Sequence, residues 1–151
     1  MKHTFFSHLN EAARAEGRLP KVMVKLGAWH LYRGLNPLRS SELGNLIGEA
    51  AEAYDVEAVN MLVLGVKGQQ LRPAGVARTP APQSLDLVGD KDSDYALLAP
   101  VWATADHHAC TLFDLRRSGW GKLGADPELE RMVFGYDFLL LVAEPKSEHP
   151  L

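Results

Sequence analysis

A chain of 151 residues is enough for one domain, able to bury roughly two thirds of its unfolded surface. With 46% hydrophobic residues, 23% charged residues and a net charge of −3, the composition argues against global disorder and against generic nucleic-acid binding, which calls for a basic stripe. Cys110 is the only cysteine, so no intrachain disulfide or CxxC metal site exists, and no uninterrupted apolar run approaches the ~18 residues of a membrane span.

The opening stretch MKHTFFSHLNEAARAEG is not a signal peptide, because Glu11 and Glu16 interrupt any apolar core. Phe5, Phe6, Leu9, Ala12 and Ala13 recur at helical spacing, with Gly17 as a stop. Residues 21–26 read as a strand after Pro20. Ser40-Ser41 can supply an N-cap for a helix whose apolar face is Leu43, Leu46, Ile47, Ala50 and Tyr54. Gly44 and Gly48 then suit close packing of that helix onto a sheet. Residues 57–64 read as a second strand, so the segment fits a βαβ unit with a right-handed crossover.

Residues 66–93, with glycines, three prolines and a charged tail, read as a long mobile surface loop, a lid being one role for it. The alternation then resumes. A helix is expected over 94–105, kinked or split by Pro100, and a third strand over 109–114. A further helix opens at Pro127 with acidic residues just after it. The run 137–143 is apolar enough for a strand buried on both faces. Cys110 falls in an apolar stretch and reads as a buried structural thiol.

Helices alternating with strands imply a single three-layer α/β domain over 1–151, with a mostly parallel sheet of about four strands covered by helices on both faces. Four strands are few, so the chain is either a small complete domain or part of a larger sheet. The lone cysteine suits a reducing cytoplasm, and a periplasmic protein without disulfides fits as well.

Ligands of open parallel sheets bind beyond the carboxyl ends of the strands. The first strand would deliver Gly27, His30, Tyr32, Arg33 and Asn36 there, and the third Asp114 and Arg116. If those strands are near neighbours, His30, Arg33, Asp114 and Arg116 converge on one rim. His30 has the chemistry of a general acid or base, with Gly27 allowing a sharp turn before it. A loop histidine bonded to its own backbone is the competing reading. Asp114 could orient His30, hold a metal, or pair with Arg116 or Arg33, the salt bridge being the favoured role. The two arginines suit an anionic ligand, or snorkel over the sheet rim. His107-His108 is not a metal pair, because adjacent residues point different ways.

The segment LPKVMVKLGAWHLYRGLNPLRSSELGNLIGEAAE, with its Gly27-x-x-His30 turn, Tyr32-Arg33-Gly34 and Leu43-Gly44-Asn45, resembles the C-terminal part of bacterial erythromycin-esterase-like proteins. The wider grouping includes TraB-type and ChaN haem-uptake proteins. TLFDLRR and GYDFLLLVAEP are similar to that family's closing strands, and the resemblance covers residues 18–145. It implies an esterase-like hydrolase with His30 as the carried-over catalytic residue and Arg33, Asp114 and Arg116 as neighbours. The family's Gly-Glu-x-His element from its N-terminal half is missing here, so the chain resembles a C-terminal portion, and Met1 reads as an internal methionine. The alternative is a non-catalytic module that binds a small ligand, haem for example, or a partner chain, as a homo-oligomer or with a missing N-terminal half.

Overall fold

The structure, a computed structural model, describes residues 2–36, 38–72, 81–93, 95–107, 109–116 and 127–143. Its contacts divide the chain into two compact units, Met1–Asn60 and Met61–Leu151.

The first unit is helical. Helix α1 spans Lys2–Glu16 and stops, as its sequence predicts, at Gly17, whose φ of +67° suits a residue without a Cβ. It buries none of its residues fully, and Lys2 Nζ donates to the Ser41 carbonyl. The strand expected over 21–26 does not form: residues 19–27 carry no regular structure. Its alternating pattern makes it strand-capable, but a strand exists only with a ladder partner, and none is present among the described residues. The βαβ unit predicted around it therefore does not form.

Instead the chain enters α2, a single turn over Ala28–Leu31, then a tight loop, then α3 over Leu43–Ala53. Gly44 is where α3 meets α2: a Cβ there would strike the Leu31 carbonyl. The small-residue pair thus serves helix-to-turn packing rather than helix-to-sheet packing. The end of α3 has the Schellman pattern. Val56 N–H donates to Ala51 O at 2.9 Å and Asp55 N–H to Glu52 O at 3.2 Å, with Asp55 in the left-handed region at φ +52°.

The second unit holds the sheet. Strands β1 (Met61–Gly65), β4 (Cys110–Asp114) and β5 (Phe138–Val142) lie in the order β1-β5-β4. β5 runs parallel to β1, with Leu62 opposite Leu139 and Leu64 opposite Leu141. It runs antiparallel to β4, with Asp114 opposite Phe138. This overturns the expected three-layer, mostly parallel sheet. Helix α5 (Pro127–Phe134) lies between β4 and β5 in sequence but is not a crossover. The chain leaves β4 at Asp114 and re-enters at Phe138, at the same end of the sheet. Alternation of helix and strand implies parallel pairing only when the helix carries the chain back along the full strand.

Residues 66–93, expected as a loop, contain a separate antiparallel pair, β2 (Lys67–Arg72) and β3 (Ala81–Asp86). Pro82 sits within β3, opposite Leu71, in a two-stranded ribbon, where each strand is an edge strand and a proline is tolerated. The helix expected over 94–105 is reduced to a 3₁₀ turn, Ala96–Leu98, and one turn of α4, Ala99–Trp102, with Pro100 in its first turn.

The core of this unit is one face of the sheet. Leu62, Leu64, Leu139 and Leu141 are buried together with Val66, Leu98, Val101 and Leu129. The other face is only part-covered: Met61, Val63 and Leu112 are exposed, and Phe138, Leu140 and Val142 are half-buried. The apolar run of β5 therefore marks its central position, not burial on both faces. Cys110, expected to be buried, is exposed at the start of β4.

Candidate functional site

His30 sits on α2. Gly27 precedes that turn, and its carbonyl accepts the His30 N–H at 3.0 Å. Gly27 has φ −58° and ψ 146°, an extended conformation open to any residue, so no glycine-specific turn is used. A short loop then reverses the chain. Asn36 closes it from both ends of its side chain: Oδ1 accepts the Ser40 N–H at 3.0 Å and Nδ2 donates to Trp29 O at 3.4 Å. Its own N–H donates to Ser40 O at 3.0 Å.

The closure delivers Glu42 to His30. His30 Nδ1 lies 3.4 Å from Glu42 Oε2, and Ser40 Oγ donates to Glu42 Oε1 at 2.6 Å. Glu42, not Ser40 or Ser41, occupies the N-cap of α3, and it makes no side-chain capping bond there. Its carboxyl is held below its ordinary value by the Ser40 hydroxyl first, then by the His30 hydrogen bond, with His30 and Lys2 charges adding to both. The His30 side chain is 47% exposed and that of Glu42 27%. In the tautomer that donates Nδ1–H to Glu42, Nε2 carries the lone pair. The contact is long, as such contacts often are before a substrate tightens them.

Of the other candidates in the first unit, Arg33 points away from this cluster. Tyr32 is 3% exposed and Asn36 2%, and the Asn36 side chain is engaged in closing the loop. Arg33 turns elsewhere: Nη2 donates to Ala58 O at 2.9 Å, and the side chain lies along Gly48. It lines a hollow of about 260 Å³ with Asn45, Glu49, Glu52 and Val56. Asn45 holds its rim, accepting the Gly34 N–H and donating to Glu49.

Asp114 and Arg116 belong to the second unit and form a bidentate pair. Nε and Nη2 of Arg116 each lie 3.0 Å from an Asp114 oxygen, and the guanidinium stands 4.3 Å over the Phe138 ring. The salt bridge favoured from sequence is the arrangement found. The premise of a shared rim, a strand over 21–26 beside the third strand, is absent. His107 stacks on Trp102 at 4.4 Å with Nε2 2.9 Å from the Trp102 carbonyl, while His108 lies outside the described residues. No three His, Cys, Asp or Glu side chains gather around a metal-sized position among the described residues.

Glu42 and Ser40 are the residues that sequence reasoning missed. The signal available was the spacing itself: two short helical segments with a turn-rich loop between them bring a residue near the end of one beside the start of the other.

The chain matches no family model, no curated protein and no solved structure. The likeness of residues 18–145 to erythromycin-esterase-like proteins rests on its motifs alone, and one of them, the strand before Gly27-x-x-His30, is not a strand.

Proposed function

We propose that the chain carries an esterase-like hydrolytic site in which His30 moves the proton and Glu42 holds its ring. The observation that supports this is the His30–Glu42 contact through Nδ1, on a histidine side chain that is about half exposed. A carboxylate on Nδ1 fixes the tautomer and stabilises the imidazolium that forms when Nε2 takes a proton from water. The hydroxide equivalent then attacks an ester carbonyl, and the imidazolium returns the proton to the leaving alkoxide.

The test is hydrolysis of a chromogenic acetate ester by the intact chain across pH. His30→Ala should lower kcat/KM by about 10²-fold or more, with Glu42→Gln giving a smaller loss. Wild-type turnover equal to that of His30→Ala would remove the reading.

A second reading, binding without chemistry, draws on the Arg33 hollow. At about 260 Å³ it lies below the ~300–1,000 Å³ of drug-sized ligand pockets. It suits a small polar molecule better than haem. Haem binding is a separate question, asked of His30 rather than of the hollow: titration with haemin followed in the Soret band checks it, and no His30-dependent change removes it.

A further inference from the structure

Lys2 stands in the first turn of α1, where no acidic residue accompanies it. A cation at that end opposes the helix dipole, so α1 itself gains nothing from its place there. The ammonium instead reaches another element, donating to the carbonyl of Ser41, 39 residues away in sequence. The other side-chain polar contacts of α1 among the described residues are local, His8 with Glu11 and Glu16 with Arg18. No residue of α1 is fully buried. Among the described residues, the Lys2–Ser41 bond is thus the helix's one polar tie to the rest of its unit.

The place of that tie matters, because Ser41 lies between the two residues that hold His30. Ser40 Oγ donates to Glu42 Oε1, and Glu42 Oε2 meets His30 Nδ1. Within the loop, Asn36 bonds to Ser40 and Leu35 forms an isolated bridge with Ser41. Lys2 adds a hold from α1, outside the loop. We infer that Lys2 is a positioning residue of the His30–Glu42 dyad, tying α1 to the loop so that the Glu42 carboxylate stays beside the imidazole. Its charge works in the same direction as its hydrogen bond. The Glu42 anion is favoured by the Ser40 hydroxyl first, then by His30 from α2, and last by Lys2 from α1. A lysine ammonium stays charged through the range in which a histidine titrates. Lys2 therefore supports the anion also when the ring is neutral, the state in which a base accepts a proton. The inference rests on the dyad that the proposed reaction uses, but not on turnover.

NMR titration of the intact chain tests this through the Glu42 side-chain carboxyl resonance, identified by its loss in Glu42→Gln. Lys2→Met keeps the length of the side chain and removes both charge and donors, whereas Lys2→Arg keeps both. Lys2→Met should raise the Glu42 midpoint at low salt, with the difference from wild type shrinking as salt screens the charge. Lys2→Arg should stay with wild type. Amide exchange over residues 40–42 should quicken in Lys2→Met, because the loop loses its tie, and return to the wild-type rate in Lys2→Arg. A Glu42 midpoint identical in wild type and Lys2→Met overturns the inference. So does unchanged exchange over 40–42 in Lys2→Met, or exchange in Lys2→Arg as fast as in Lys2→Met. These readouts need no substrate. A chain that hydrolyses no ester yet shows the Lys2-dependent shift and exchange refutes the proposed reaction and supports the positioning role. A chain whose His30-dependent hydrolysis stands while Lys2→Met changes neither readout does the reverse.

Discussion

At the scale of single residues, Gly27 and Gly44 stand on either side of His30 in sequence and have opposite consequences. Gly27 has an ordinary φ, and a Cβ there would meet the His30 ring at 3.7 Å, a normal contact. Gly27→Ala should therefore be neutral or stabilise by about 0.4–1 kcal/mol through the unfolded chain. Gly44→Ala drives a methyl into the Leu31 carbonyl and should cost about 1–3 kcal/mol. Thermal melts of the two variants check the contrast, and equal effects would contradict this account of the α2–α3 contact. Glu42 adds a pH dependence. Its folded-state carboxyl is lower than in the unfolded chain, because Ser40 and His30 favour the anion. Its stabilising contribution is thus complete above the ordinary carboxylate range and is lost as pH falls through the lowered value. Wild type and Glu42→Gln should differ in stability at neutral pH and converge in acid. A difference that persists unchanged at low pH would show that the Ser40–Glu42–His30 contacts do not depend on the charge. None of this was legible from residue types alone. His30 was, as an ionisable group after a glycine, whereas Glu42 became its partner only through the loop that Asn36 closes.

At the scale of elements, local pattern and long-range pairing part company. Helix α1 with its Gly17 stop, α3, α5 at Pro127 and strands β1, β4 and β5 were all readable, because caps, periodicity and apolar runs are local signals. Which strands pair, and in which direction, was not, because β4 and β5 are joined by a helix that does not cross the sheet. The same limit explains residues 21–26: the alternation is present, and no strand among the described residues pairs with it. The sheet's two faces give a test at this level. Leu141 is 1% exposed and Leu112 54%, although both lie in apolar runs. Leu141→Ala should cost about 2–5 kcal/mol, and Leu112→Ser on the part-covered face about 0.5 kcal/mol or less. Denaturant titration with unchanged slopes would measure both, and comparable losses would mean that both faces are packed.

At the scale of the whole molecule, burial is distributed unevenly. Among the described residues, most of the tightly buried apolar side chains lie in the second unit, around β5, whereas the first unit buries only Tyr32, Leu43 and Ala51. Local opening follows burial: segments with few buried apolar contacts open at low free energy, and central strands open only with the whole domain. Native-state hydrogen exchange should therefore find the amides of Leu139–Leu141 slowest and those of α1 among the fastest, despite its 15 residues of helix. The dyad of His30 and Glu42 lies in the less buried unit, held by Asn36, Ser40 and the α2–α3 contact rather than by a core. Disturbing those few bonds should speed exchange around His30 while leaving β5 untouched. Asn36→Ala is the variant that separates the two: uniform acceleration through β5 as well would mean that the site and the sheet open as one.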